Sequence, residues 1–202
     1  MPDPVSSGST LLLWAAVAYF IGSIPFGLIL ARVMGLGNLR DIGSGNIGAT
    51  NVLRTGSKKA AVLTLLLDAG KGAVVVLLAR KFASLDAAQV AAFFVMLGHC
   101  FPVWLKFQGG KGVATFLGLL YALAWPVGIA ACLTWLVTAA LFRYSSLAAL
   151  VAAVSTMVWA IVLGVPSIFI LCSFLTALIF WRHAENIRRL AARTESKIGQ
   201  KS

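Results

Sequence analysis

Six apolar runs, at residues 11–33, 60–79, 87–105, 113–142, 147–163 and 167–181, leave this chain few ways to fold. A helix rises ~1.5 Å per residue and the hydrocarbon of a bilayer is roughly 30 Å thick, so runs of this length predict transmembrane helices. The run at 113–142 is too long for one simple crossing, and Trp125-Pro126 is its natural break, into two short helices or a re-entrant pair. Seven crossings result. With 60% hydrophobic and 11% charged residues and a mean hydropathy of +0.93, a soluble domain is excluded. The expected fold is all-α, one polytopic membrane domain over residues 1–202, with a short basic tail from about 183.

The net charge of +11 does not point to nucleic acid, because its carriers sit in short clusters between apolar runs. Membrane orientation accounts for them. With the N-terminus outside and seven alternating crossings, fourteen of the 17 basic residues lie inside: Arg32, Arg40, Arg54, Lys58, Lys59, Lys106, Lys111, Arg143, Arg182, Arg188, Arg189, Arg193, Lys197 and Lys201. Arg80 and Lys81 fall outside and Lys71 falls within a span. Asp3, with no basic residue before the first run, is the wrong start for a cleaved signal peptide, so the first helix is expected to stay. Cys100, Cys132 and Cys172 lack metal-ligand spacing and read as small core residues.

Against this background three polar segments stand out. Gly43-Ser44-Gly45-Asn46-Ile47-Gly48-Ala49-Thr50-Asn51-Val52-Leu53-Arg54 offers glycine backbone, small hydrogen-bonding side chains and a guanidinium. Alone it reads equally as a flexible loop or as an oxyanion site. Gln108-Gly109-Gly110-Lys111-Gly112 repeats that pattern without the spacing of a Walker loop. His183-Ala184-Glu185-Asn186 opens a basic helical continuation, where His183 and Asn186, three apart, share a face. The predicted orientation puts all three on the cytoplasmic side. Asp68 and Lys71, also three apart, read as a buried ion pair, and His99 as an interhelical hydrogen-bonding group. The Gly22-to-Gly27 stretch, with Pro25, predicts a kink and close helix packing.

GSGNIGATNVLR at Gly43 to Arg54, GH at Gly98-His99 with QGGKGVAT from Gln108 to Thr115, and HAENIRRL from His183 to Leu190 resemble, in order and spacing, the bacterial membrane glycerol-3-phosphate acyltransferases that use acyl phosphate, often called the PlsY family. The resemblance covers nearly the whole chain. It implies seven helices with an outside N-terminus, and transfer of an acyl group from acyl phosphate to the 1-hydroxyl of glycerol 3-phosphate, giving lysophosphatidate and inorganic phosphate. It assigns Ser44, Arg54, Lys111, His183 and Asn186 to the reacting site, with the donor phosphate assisting removal of the hydroxyl proton. Gln108 and Ala184 depart from the family, standing where basic residues are common.

The chemistry of the residues is compatible with that assignment. Arg54 and Lys111 neutralise phosphates, and Gly43, Gly45, Asn46, Gly48, Thr50, Asn51, Gly109, Gly110 and Gly112 are the candidates for wrapping them. Glu185 is expected to pair with a neighbouring arginine, and the tail arginines to meet anionic membrane lipids. No cofactor and no metal are expected, since two separated histidines and few carboxylates form no ligand set. Neither histidine is followed by an HxxxxD motif, so an acyl-Ser44 intermediate is disfavoured. A transporter or channel for a phosphorylated solute is the competing reading, and it lacks the internal repeat common in transporters.

Overall fold

The structure, a computed structural model, describes residues 5–199; Asp3 and Lys201 lie outside them. Among the described residues it is all helical. The first apolar run forms two helices, α1 (Gly8–Gly22) and α2 (Phe26–Val33), parted at Ser23 to Pro25 where proline interrupts the hydrogen-bond ladder. A short helix, α3 (Ala49–Leu53), and a 3-10 turn (Leu39–Asp41) lie within the segment expected to be loop from 35 to 57. There follow α4 (Lys58–Phe82), α5 (Leu85–Cys100), α6 (Val113–Leu123), α7 (Trp125–Phe142), α8 (Ser145–Val162), α9 (Phe169–Arg182) and α10 (Ala184–Ala191). The long apolar run breaks at Ala124, beside the expected Trp125-Pro126.

Five helical stretches are long and apolar enough to cross a membrane: Gly8–Val33, Lys58–Phe82, Leu85–Leu105, Trp125–Phe142 and Ser145–Val162. A sixth requires Pro166–Arg182 together with Ala184–Ala191, which meet at a bend of 64°. Helix α6, with 11 residues, rises only ~16 Å and is too short by itself, so length does not account for all seven expected crossings. The outward faces are apolar: Leu66 is 60% exposed, Leu141 71% and Ile161 60%. Water would penalise such a surface and lipid does not, which makes this a multi-pass integral membrane protein.

Small residues set the helix crossings. A Cβ on Gly22 of α1 would lie 2.2 Å from the Val95 carbonyl oxygen on α5, and one on Gly98 of α5 would lie 2.1 Å from that of Tyr19 on α1. Gly118 of α6 and Ala69 of α4 meet the same way, at 2.0 Å. With no hydrophobic force between helices in lipid, such close backbone approach supplies the packing energy. Val75, Val95, Met96, Phe116, Leu119, Leu120, Leu175 and Ile179 fill the centre.

The connections sort to two ends. At one, Asp86 accepts from the N–H groups of Val5 and Ser6, Arg80 donates to the Leu123 carbonyl, and Gln89 to that of Ser167. The three polar segments gather at the other.

Candidate active site

The first segment is folded around one side chain. Asn51, 1% exposed in the short α3, accepts from the Ser44 N–H at 3.1 Å and donates to the carbonyls of Leu39 and Asn46 at 3.0 and 2.7 Å. Gly43 and Gly45 take φ of +52° and +65°, the left-handed region that glycine enters without penalty, and this lets the chain turn back onto Asn51. Ser44 stays at the surface, and Arg54 packs over Gly43. Its guanidinium donates to Asn51 Oδ1 at 3.5 Å and to the hydroxyl of Ser196. Thr50 reaches Ser145 on α8 at 3.2 Å.

The second segment is built differently. The Gly109 and Gly110 N–H groups donate to the carbonyls of Cys100 and His99 at 3.0 and 3.1 Å. A Cβ on Gly110 would lie 2.2 Å from His99 Nε2, and one on Gly109 equally close to the His99 carbonyl oxygen. These glycines are therefore present because the backbone lies against α5, and their N–H groups are not aimed at a ligand. The Gly45 N–H is likewise engaged, by the Ile42 carbonyl at 2.9 Å. The N–H groups of all three glycines thus have partners within the protein. Gly112, at φ +81°, begins α6 with no side chain capping the helix N-terminus.

Beneath this loop lies the buried charge cluster. Lys71 Nζ is 2.8 Å from Asp68 Oδ1 and donates to the Ile24 carbonyl, also at 2.8 Å, at the break between α1 and α2. His99 Nδ1 stands 3.7 Å from the same Asp68 oxygen, within ion-pair range but beyond a hydrogen bond. The expected Asp68–Lys71 pair is present, and the polar partner expected for His99 on another helix is Asp68 of α4.

Lys111 extends from the second segment to the third, where Nζ donates to Asn186 Oδ1. Asn186 in turn donates to Glu195 Oε1 at 2.6 Å, which also accepts from Ser146 at 2.7 Å, while Glu195 Oε2 takes Arg189 Nε at 2.6 Å. Burial pushes the Lys111 ammonium down to about 8, with the Arg189 charge acting in the same direction. Burial would raise the Glu195 carboxyl, but hydrogen bonds from Ser146, Asn186 and Arg189 outweigh it and hold the group ionised below its usual range. His183, at the bend between α9 and α10 and 3% exposed, donates from Nδ1 to the Ile179 carbonyl at 2.8 Å. The carbonyl can only accept, so the neutral ring presents Nε2 as an acceptor.

Glu185 pairs with Arg189 as expected, at 3.9 Å and with its carboxylate 84% exposed, while Glu195, not singled out in the sequence, holds the same arginine more closely, at 2.6 Å. Arg40 and Arg182 are two further omissions. Arg40 donates to Gly45 O at 3.4 Å and to Gln108 O, tying the first segment to the second; Arg182 donates to Gly109 O and Gly110 O. Scarcity was the available signal for Glu195, one of only six acidic residues in the chain. A cleft of about 700 Å³, lined by Arg143, Tyr144, Arg193 and Lys197 among others, opens beside Glu195 and Ser196. Among the described residues no group of His, Cys, Asp and Glu could hold a metal ion.

Residues 12–193 match the profile of the family described as glycerol-3-phosphate acyltransferase. The chain is 64% identical over 202 residues, 100% of both sequences, to a glycerol-3-phosphate acyltransferase of Ruegeria pomeroyi. It is 65% identical over 191 residues, 95% of each, to one of a Ruegeria sp. strain. It also resembles the crystal structure of PlsY, an integral membrane glycerol 3-phosphate acyltransferase, in its glycerol 3-phosphate form, with a TM-score of 0.89 at 40% identity over 95% of this chain and 96% of that one. The lysophosphatidic acid form gives 0.86 at 38% over the same shares. Sequence likeness of this extent, on a shared helical fold, shows that the chain belongs to the glycerol-3-phosphate acyltransferase family.

Proposed function

We propose that the chain transfers a fatty acyl group from acyl phosphate to the 1-hydroxyl of glycerol 3-phosphate, at the cytoplasmic face of the bacterial inner membrane. The observation that carries this reading is the gathering of Arg54, Lys111 and Asn186, from three separate segments, around the consecutive tail residues Glu195 and Ser196, with His183 near enough to feel the Lys111 and Glu195 charges. The cleft lined by Arg143, Arg193 and Lys197 gives an anionic substrate a cationic approach. Family relatives named as glycerol-3-phosphate acyltransferases, and the glycerol 3-phosphate and lysophosphatidic acid forms of PlsY, support the substrate and product. The fourteen basic residues assigned to one side support a cytoplasmic site and an outside N-terminus.

The chemistry follows from the groups at hand. The hydroxyl oxygen of glycerol 3-phosphate attacks the acyl carbon, the bond from that carbon to the phosphate oxygen breaks, and inorganic phosphate leaves. Phosphate is a good leaving group and basic enough to take the hydroxyl proton, so the protein must chiefly position and neutralise. Ser196 is a neutral partner for Arg54, and a phosphate dianion replaces it favourably. Lys111 holds the second negative charge, and Asn186 orients the hydroxyl. His183 Nε2 is the alternative proton acceptor, and Ser44 a hydrogen-bonding positioner.

The test is incubation of the purified protein with glycerol 3-phosphate and either palmitoyl phosphate or palmitoyl-coenzyme A. The expected result is lysophosphatidate and phosphate in equal amounts from palmitoyl phosphate and no product from the thioester. Product from the thioester would overturn the donor assignment, and none from either, with folded protein, the acyltransferase reading.

A further inference from the structure

Arg182 ends α9 with an unusual set of partners. Its Nε donates to Gly110 O and its Nη2 to Gly109 O, both at 3.0 Å, and its guanidinium lies 5.2 Å over the Phe101 ring. Phe101 is itself fixed, with its ring 5.3 Å from that of Trp181 and its carbonyl accepting from the Tyr19 hydroxyl at 2.7 Å. Among the described residues no carboxylate is within ion-pair distance of Arg182. Its donors are therefore committed to backbone geometry. With the two N–H bonds to Cys100 and His99, all four polar backbone atoms of Gly109 and Gly110 are held.

The next residue in the loop is Lys111, and the next residue after Arg182 is His183, with Asn186 one helical turn on. We propose that Arg182 is a positioning residue for Lys111: by clasping two successive carbonyls from the end of α9, it fixes the backbone from which Lys111 extends relative to His183 and Asn186. The proposal rests on the reading that Lys111 and Asn186 serve the reacting site. A planar fork aimed at two carbonyls is a task a lysine ammonium cannot reproduce, so Arg182→Lys keeps the charge and removes the clasp. Misplacement of a substrate-holding group by about 1 Å costs on the order of 100-fold in rate.

The experiment is a double-mutant cycle on the full chain, reading incorporation of radiolabelled glycerol 3-phosphate from palmitoyl phosphate, with thermal unfolding measured in parallel. Arg182→Lys is expected to lower kcat/KM by about tenfold or more while unfolding near the parent temperature. In a Lys111→Ala background the same change is expected to lower it by less than about twofold, because the group it positions is gone. Parent activity in Arg182→Lys, or the same loss in both backgrounds, would overturn the proposal. Parent activity in Lys111→Ala would instead remove the site reading beneath it. Should Arg182→Lys fail to fold, Phe101→Leu takes its place in the cycle, with a loss of about threefold expected in the parent background and none in Lys111→Ala; no loss in the parent overturns the proposal equally.

Discussion

The two glycine-rich segments look alike as sequence, each combining glycines with one cation, and they are held by opposite means. In the first, Gly43 and Gly45 are needed for their positive φ, and a buried side chain, Asn51, organises the turn. In the second, Gly109 and Gly110 are needed because no Cβ fits against His99, and backbone bonds with an arginine clasp do the organising. Glycine thus marks conformational freedom in one place and close approach in the other. In the second design a Cβ would meet backbone carbonyls and a buried ring, whereas in the first it would meet the Arg54 and Asn51 side chains at Gly43 and only the Arg40 carbonyl, at 3.1 Å, at Gly45.

The largest effect is expected at the cation of the second segment. Lys111→Ala should lower kcat/KM by about 100-fold or more, as loss of one charged donor at a reacting phosphate does, measured by steady-state kinetics with palmitoyl phosphate. Gly110→Ala should come next, since its methyl meets a buried imidazole backed by the Asp68–Lys71 pair. A loss of about 3 kcal/mol, seen as a lowered unfolding midpoint, is expected there. Asn51→Ala strips the first segment of its organiser and leaves buried groups unpaired, for about 2 kcal/mol by the same measurement. Gly45→Ala should cost only ~1 kcal/mol, because its methyl meets nothing nearer than the Arg40 carbonyl at 3.1 Å and the strain is that of a positive φ. Equal losses at Gly110 and Gly45 would erase the distinction.

The two cations differ as well. Burial brings Lys111 to about 8, so its charge is present below that pH and lost as the pH rises through it. The kcat/KM for glycerol 3-phosphate, which reports the free enzyme, should fall about tenfold per unit above pH 8. Lys111→Arg keeps its charge and should shift that limb to higher pH. A parent profile flat to pH 10 would contradict the assignment of Lys111 to phosphate binding.

Much of this was legible in the sequence for physical reasons. Apolar length announces helices, proline at 25 and 126 announces breaks, and Asp68 with Lys71 at one helical turn announces a buried pair, because lipid tolerates neither alone. The cations Arg54 and Lys111 were legible through their glycine neighbours. Arg40, Arg182 and Glu195 were not, since their partners are backbone carbonyls or residues of other segments, which no local pattern reveals. The Glu185–Arg189 pair was legible because Glu185 sits among the arginines in sequence, whereas Glu195 reaches Asn186 only because the tail folds back. The partners of the Gly109 and Gly110 N–H groups were hidden for the same reason: a glycine pair does not show which way its amides face.

The central claim is that separate segments build one anion site, and binding of glycerol 3-phosphate without any acyl donor tests it most directly. Calorimetry on the protein in lipid nanodiscs should show weakened binding, by about tenfold or more, in both Arg54→Ala and Lys111→Ala, with unfolding midpoints near the parent. Parent affinity in both variants would contradict the account.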